Sequence, residues 1–533
     1  MANVRLIRAD NFTGGLNLRA DPFQLGETES PDLLNVDVDP RGGFKIRPGF
    51  TATNASPMVT VGATAFQPNR LYVYDQTGAA QKLICLNNID DSYSSNDGST
   101  WAALPWDGTT DLATWQASST TATLYAVRGV GNAAYRWNGT TATALTASAT
   151  GAWQNSFASP TGTHMPTAQR CAVHADKMWV ADTQENGTRY SNRVRFSHPN
   201  FPESWREEDY IDVPGGGGAI NWIAPWRDAL LIFKEHSLWA LYGYDTESFQ
   251  LVQLSTVLGT RFLPAESPIG MFFFDDRAGI MLFTGDGFDS VGDRVRRATN
   301  PTAAWDNVSL AFTNSKLYAS FGLFAYASAA SNDPLAGTYV FDPTINAWTK
   351  YSLADGGVPF GFVHSAGRVL CVHSSEPYVL HARTVESDTW HDDLGGAPEP
   401  YASWYTTRWF DAGLIAAKKM WRSPAFVTHQ PDADMSLTVE VFHDWEESAP
   451  RRTWQLQIAA PLAGLTWAAT AAEPDAVDGW NEAAWGAGAA GAQYERGRNL
   501  GLARAVQLRI HGPGSVDWAV NSISFKYIPR RVR

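Results

Sequence analysis

Ala134-Tyr-Arg-Trp-Asn-Gly139 and, further on, Thr338-Tyr-Val-Phe-Asp-Pro343 with Ala347-Trp-Thr-Lys-Tyr351 repeat one phrase: a short strand that runs into an aromatic-polar turn. Residues of a strand point alternately to its two faces, so each run can set one face against a neighbouring sheet while its aromatic fills the gap between sheets. Related runs surround these: Arg70 to Tyr74, Thr123 to Val127, Lys177 to Ala181, Leu230 to Phe233, Ser237 to Tyr242, Gly279 to Phe283 and Val369 to His373. The clusters recur about every 40 to 50 residues, the period of one small antiparallel sheet per repeat. Asp107-Gly108, Asn138-Gly139 and Asp286-Gly287 lie between runs, and their tolerance of positive φ suits two-residue hairpins.

This spacing predicts an all-β fold built on a β-propeller of about six to eight blades, with a β-sandwich as the alternative for the same stretch. Few stretches hold helical apolar spacing without Gly, Pro or β-branched interruption. With 533 residues the chain exceeds what one core serves. We expect an extended N-terminal arm over 1–55, the propeller over 56–395 and a C-terminal β-sandwich over 396–533. The last rests on the period-two runs Ser436 to Phe442, Ala505 to Ile510 and Ser522 to Tyr527. The Ala/Gly/Trp-rich stretch Trp467 to Gly491 reads as a long loop that orders against a neighbour.

Charged residues are only 18% of the chain, low for a fully solvated surface, and the 22 Trp, 18 Tyr and 26 Phe suit both strands and interfaces. A net charge of −13 opposes a grip on nucleic acid, which needs clustered Lys and Arg. The tail Ile528-Pro-Arg-Arg-Val-Arg533 is the one compact basic patch and reads as a solvated or docking end. Cys85, Cys171 and Cys371 are too few and too scattered for a disulfide framework or a zinc site. No signal-like or membrane-spanning run is apparent, so synthesis in a cytoplasm without membrane insertion is expected.

No catalytic constellation emerges, and neither an enzyme nor a cofactor is expected. Gly285 to Gly292 has its third glycine misplaced for a dinucleotide loop and reads as a hairpin turn. Asn35-Val-Asp-Val-Asp39 alternates oxygen ligands as a calcium loop would, but Ile46 and Pro48 stand where the bidentate Glu belongs. Ser95 to Trp101 is one residue short of an Asp-box turn. Glu207, Glu208 and Asp209 beside Trp205 could engage sugar, with a polar loop rim as the plainer reading. His391-Asp392-Asp393 reads as a solvated linker rather than a metal site.

The arm carries a resemblance. Phe12-Thr-Gly-Gly-Leu-Asn17, Pro31-Asp-Leu-Leu-Asn-Val36 and Gly42-Gly-Phe-Lys-Ile-Arg-Pro-Gly49 are similar to the opening of bacteriophage tail proteins of the nozzle (tail tubular protein B) type. Leu258-Gly-Thr260 and Gly285 to Phe288 resemble blade phrases of such virion propellers. Related openings occur in other neck and tail-tip proteins, and the chain is shorter than the largest nozzles. The resemblance implies a virion structural protein forming a ring, in nozzles about six copies, around the DNA ejection channel. Its partners would be an adaptor ring and fibres or spikes, with DNA passing transiently and without sequence-specific binding. An acidic lumen would let DNA slide. The alternative is a tail-tip or baseplate propeller that binds or hydrolyses host-surface carbohydrate. Intersubunit contacts are expected at Phe12, Gly14, Gly15, Asn35, Arg47, Pro48, Arg530 and Arg531, because arm and tail are each too small to fold alone.

Overall fold

The structure, a computed structural model, describes residues 4–21, 23–54, 56–58, 68–75, 81–87, 91–96, 98–118, 121–146, 153, 164–216, 218–296, 307–322, 335–374, 376–382, 390–429, 431, 434–458, 493–496 and 498–529. It is all-β: among these residues the one helical element is a single 3-10 turn, Asp293–Val295. The chain divides into two compact units. One comprises Ala52–Ala336 with Val358–His381; the other comprises Met1–Thr51, Gly337–Gly357 and Ala382–Arg533.

The first unit is the β-propeller. Five consecutive four-stranded antiparallel sheets start at Pro68–Tyr74, Asp111–Ser118, Thr167–His174, Ile220–Trp226 and Ala265–Ser267. In this unit the sixth sheet contributes Asn307–Thr313 and Lys316–Gly322, and the seventh Pro359–Ser365, Arg368–His373 and Val379–Ala382.

Every sheet packs face to face on the next. Tyr74, Ile84 and Trp106 of the first meet Leu112 and Leu124 of the second, and Trp115 and Tyr125 of the second meet Met178 and Val180 of the third. Trp179 and Phe196 then meet Ile223 and Ile232, and Leu231 and Phe233 meet Met271 and Phe273. Phe274 lies edge-on to Phe321 of the sixth sheet, and Tyr318 stacks on Phe362 of the seventh at 4.3 Å. Leu370 and Val372 of the seventh share a core with Leu71, Leu83 and Cys85 of the first, which closes a ring of seven. A backbone latch reinforces the closure: Thr53 N–H donates to the Val379 carbonyl at 2.8 Å, and Val379 N–H donates to Asn54 Oδ1 at 2.9 Å.

The second unit is a β-sandwich. Its long last strand, Ala519–Pro529, pairs along one edge with Arg5–Ala9 and Phe44–Ile46, and along the other with Lys419–Trp421 and Ala425–Thr428. The facing sheet runs Arg452–Ile458, Met435–His443, Val506–Gly512, Ser403–Thr406 and Leu33–Leu34. Phe44 of one sheet stacks on Tyr405 of the other at 4.1 Å, and Phe410 contacts Phe525 at 4.6 Å.

The first fifty-one residues, expected as a separate arm, count with this sandwich. The reason is pairing: Arg5–Ala9, Leu33–Leu34 and Phe44–Ile46 are ladder strands of the two sheets, so the opening segment has no need to fold alone. The antiparallel pair Gly337–Asp342 and Ala347–Tyr351 clusters with the same segments, but it continues the sheet of Asn307–Thr313 and Lys316–Gly322, as the blade phrasing expects. Asp107-Gly108 differs from expectation. It carries the chain from the first sheet to the second, whereas Asn138-Gly139 and Asp286-Gly287 do close hairpins.

Candidate functional site

In the sandwich unit the opening motif has a definite physical task. Gly15, at φ +61°, pairs in parallel with Trp348, and a Cβ there would lie 2.6 Å from the Trp348 carbonyl oxygen, so no other L residue fits without displacement. Phe12 is buried edge-on to both Phe44 and Tyr405. Gly14 backs onto Thr28, whose carbonyl accepts its N–H at 3.1 Å.

Arg47 is fully buried. Its Nη1 and Nη2 donate to Asp392 Oδ1 and Oδ2 at 3.0 and 2.8 Å, Nε to Asn35 Oδ1 at 2.8 Å, Nη1 to the Pro48 carbonyl at 2.8 Å and Nη2 to the Ser352 carbonyl at 2.7 Å. The guanidinium lies 3.9 Å from the Tyr401 ring centroid. Burial by itself would lower the Arg47 pKa, but the Asp392 charge together with Tyr401 and Tyr351 raises it, so the cation persists. Asp392 also accepts from Phe50 N–H at 2.8 Å and Ala354 N–H at 3.0 Å. One ion pair thereby joins all three chain segments of the unit.

Asp392, read from sequence as part of a solvated linker, is wholly buried, because Arg47 supplies the charge that its burial requires. Asn35 and Asp37 are likewise committed, Asn35 to Arg47 and Asp37 to the Tyr351 hydroxyl, which leaves no calcium loop there. Phe12, Asn35 and Arg47, proposed from sequence as intersubunit contacts, are interior side chains of this unit. Arg530, Arg531 and the stretch Trp467 to Gly491 lie outside the described residues.

Gly49 completes the motif. A Cβ on it would sit 2.0 Å from the His391 carbonyl oxygen and 2.8 Å from its carbon, both backbone atoms. Gly49→Ala is therefore expected to lower stability by about 2 kcal/mol through forced separation of these two segments, measured by urea unfolding.

In the propeller the first strand of each sheet lies nearest the axis, and two cavities lie there. The smaller, about 220 Å3, is lined by all seven sheets or the turns leading into them, among them Arg70, Thr110, Arg170, Trp222, Arg261 and Phe360. The larger, about 400 Å3, is lined by residues further along the inner strands, including Tyr72, Thr114, Val173, Pro225 and Glu266. Arg70, Trp222 and Leu263 are common to both and so separate them. Trp222 carries Arg170 at 3.8 Å and Arg70 at 5.4 Å over its ring and donates Nε1–H to the Arg261 carbonyl at 3.0 Å. Asp111 Oδ1 accepts from Arg70 at 3.2 Å, and its Oδ2 from Cys171 N–H at 3.1 Å. Glu266, in the larger cavity, has its carboxyl pKa raised by desolvation. Cavities of this size admit small groups and not a nucleic-acid duplex.

The acids considered for sugar chemistry do not converge. Trp205 is completely buried between the second and third sheets with Trp115, Met165 and Val180. Glu208 pairs with Arg206, Asp209 is buried with its carboxyl pKa raised by desolvation, and the Glu207 carbonyl accepts from Arg195 at 3.0 Å. Beside them Arg195 makes a two-pronged pair with Glu185, whose carboxyl burial alone would push up but which Arg195 and Arg193 hold below the ordinary range. Nothing in single-sequence spacing marked this network. Gly285 is part of a hairpin turn, at φ +106°, with Thr284 N–H donating to the Gly287 carbonyl. Near Ser95 the hydroxyl accepts from Gly98 N–H at 2.9 Å and Trp101 Nε1–H donates to the Gly98 carbonyl at 2.9 Å, a turn that leads into the next strand. Among the described residues no group of three or more His, Cys, Asp or Glu is placed to hold a metal ion.

No protein-family model matches the chain, and no curated protein matches it. Solved structures similar to it include BBS1N in complex with ARL6DN, at 11% identity over 66% of this chain and 100% of that one, with a TM-score of 0.39. The extracellular domain of the one-component system BT4673 from B. thetaiotaomicron is 10% identical over 78% of this chain and 46% of that one, with a TM-score of 0.41. BamB from Moraxella catarrhalis is 8% identical over 66% of this chain and 95% of that one, with a TM-score of 0.34.

Proposed function

We propose that the chain is a non-catalytic structural component of a bacteriophage tail, a nozzle-type protein that forms a ring and lines or closes the DNA ejection channel of the virion. The observation that carries this reading is the use made of the opening motif. Gly15, Asn35, Arg47 and Gly49, which bear the resemblance to nozzle openings, are the residues that tie the three segments of the sandwich unit together, so the resemblance concerns determinants of the fold.

Two further observations agree with it. The sandwich unit exposes Val4, Leu6, Phe23 and Ile415 at 55 to 64%, apolar area that ring formation or an adaptor would cover. Net charge of −13 disfavours retention of phosphate backbones along a conduit. Passage of DNA would use a lumen between chains, since the propeller's own axial cavities are too small.

The carbohydrate-binding alternative requires an accessible aromatic beside its acids, and Trp205 is interior. Negative-stain images and native mass spectrometry of the purified protein test the proposal. Closed rings of about six copies are expected, with the chain present in tails of purified particles. A strict monomer absent from the particle would overturn it.

A further inference from the structure

The axial cavity beside Arg170 has an electrostatic imbalance that the tail reading does not use. Arg170 donates Nε to the Asn221 carbonyl and Nη1 to the carbonyls of Thr110 and Gln169 at 3.0 and 3.1 Å. All three acceptors are neutral. Among the described residues Nη2 has no hydrogen-bond partner and no carboxylate lies within ion-pair distance of this guanidinium, although the more distant Asp111 charge favours its cation against burial. Arg70 stands over the same tryptophan and, among the described residues, commits only Nη1, to Asp111. Asp111 is already shared, since it also accepts from the Leu112 and Cys171 N–H groups. Arg261 lines the cavity as well and pairs with Asp276 at 2.7 Å.

Arg70 and Arg170 therefore both line about 220 Å3 of space, and Asp111, the carboxylate nearest them, is bonded to Arg70. Phe360, Val308 and Leu86 give apolar stretches of wall that strengthen electrostatic attraction beside them, and Thr109, Thr110 and Ser309 supply polar ones. The Trp222 ring and backbone carbonyls hold Arg170 in place, so its free N–H groups are set in advance for an acceptor with several oxygens.

We propose that this cavity is a binding site for a small oxyanion of the phosphate or carboxylate class, held by Arg170 and Arg70. The anion supplies the missing negative charge and links the first sheet to the third across the axis. Thr110 offers a hydroxyl near the same cavity, although that hydroxyl already donates to the Gln169 carbonyl at 2.8 Å.

The test uses the purified full chain in whatever oligomeric state it adopts, so its outcome is separate from that of the tail proposal. Thermal unfolding is followed against inorganic phosphate, against acetate and citrate, and against chloride at matched ionic strength. A saturable rise of about 2 °C is expected with phosphate or with a carboxylate and not with chloride, and the more effective series identifies the preferred oxyanion. Equilibrium dialysis with radiolabelled phosphate or carboxylate is expected to give one site per chain. Arg170→Gln is expected to abolish both signals. Should that variant not fold, Arg70→Gln is expected to weaken binding at least tenfold while the circular dichroism spectrum is kept. Absence of saturable binding by the native chain, equal shifts in chloride, or binding unchanged in these variants would overturn the proposal.

Discussion

Replacing Asp392 with Ala is expected to lower the unfolding free energy by about 3–5 kcal/mol, read as a fall in the urea midpoint at unchanged slope. The cost has two parts. Arg47 would keep a buried cation without its counter-charge, and the N–H groups of Phe50 and Ala354 would lose their acceptor. The double variant Arg47→Met with Asp392→Leu removes both charges, yet the Ser352 and Pro48 carbonyls would then lose the Arg47 donor, and Asn35 Oδ1 would keep the Ser352 N–H alone. It should therefore remain well below the native protein, unlike ion pairs that have no such surroundings. A double variant equal in stability to the native chain would show that the cluster does not organise the three segments.

Trp205→Ala is expected to cost a similar amount, about 3–5 kcal/mol, because it empties the space between the second and third sheets. Its Nε1–H has no hydrogen-bond partner among the described residues. Trp205→Phe removes that unsatisfied donor while keeping most of the ring, and its loss should be clearly smaller. The same pair of variants separates the two functional readings. If Trp205 stacked on a sugar ring, Trp205→Phe would alter polysaccharide binding without altering stability. The structure predicts the reverse, an effect on melting and none on a glycan array.

Much of the architecture was legible because strand alternation is local. The runs from Arg70–Tyr74 to Ser522–Tyr527 singled out in the sequence coincide with strands apart from end residues such as Ser237 and Ala505, and their spacing pointed to small sheets in a ring. The closing partnership was not legible, since the Thr53 and Asn54 latch to Val379 joins positions that no periodicity relates. The same holds for Arg47 and Asp392, which stand 345 residues apart. A carboxylate in a polar stretch looks solvated until the cation opposite it is known. The axial arginines were missed for a related reason: Arg70 and Arg170 fall in different sheets and Arg261 in the turn leading into a third, and only ring closure brings them to one cavity. The glycines of the opening motif were visible as a pattern, but their reason, close approach to the Trp348 and His391 backbones, is tertiary.

The pairing of Arg5–Ala9 with Ala519–Pro529 sets a schedule for synthesis. The first of these strands leaves the ribosome roughly 500 residues before its partner, a delay of ~25–100 s at bacterial elongation rates. Throughout that interval Leu6 and the strand's hydrogen-bonding edge have no native partner. The propeller segments, complete by His381, can close first. A nascent chain stalled before residue 519 should thus present a protease-resistant propeller and a cleavable segment around Arg5–Ala9, which Ala519–Pro529 covers once it is made.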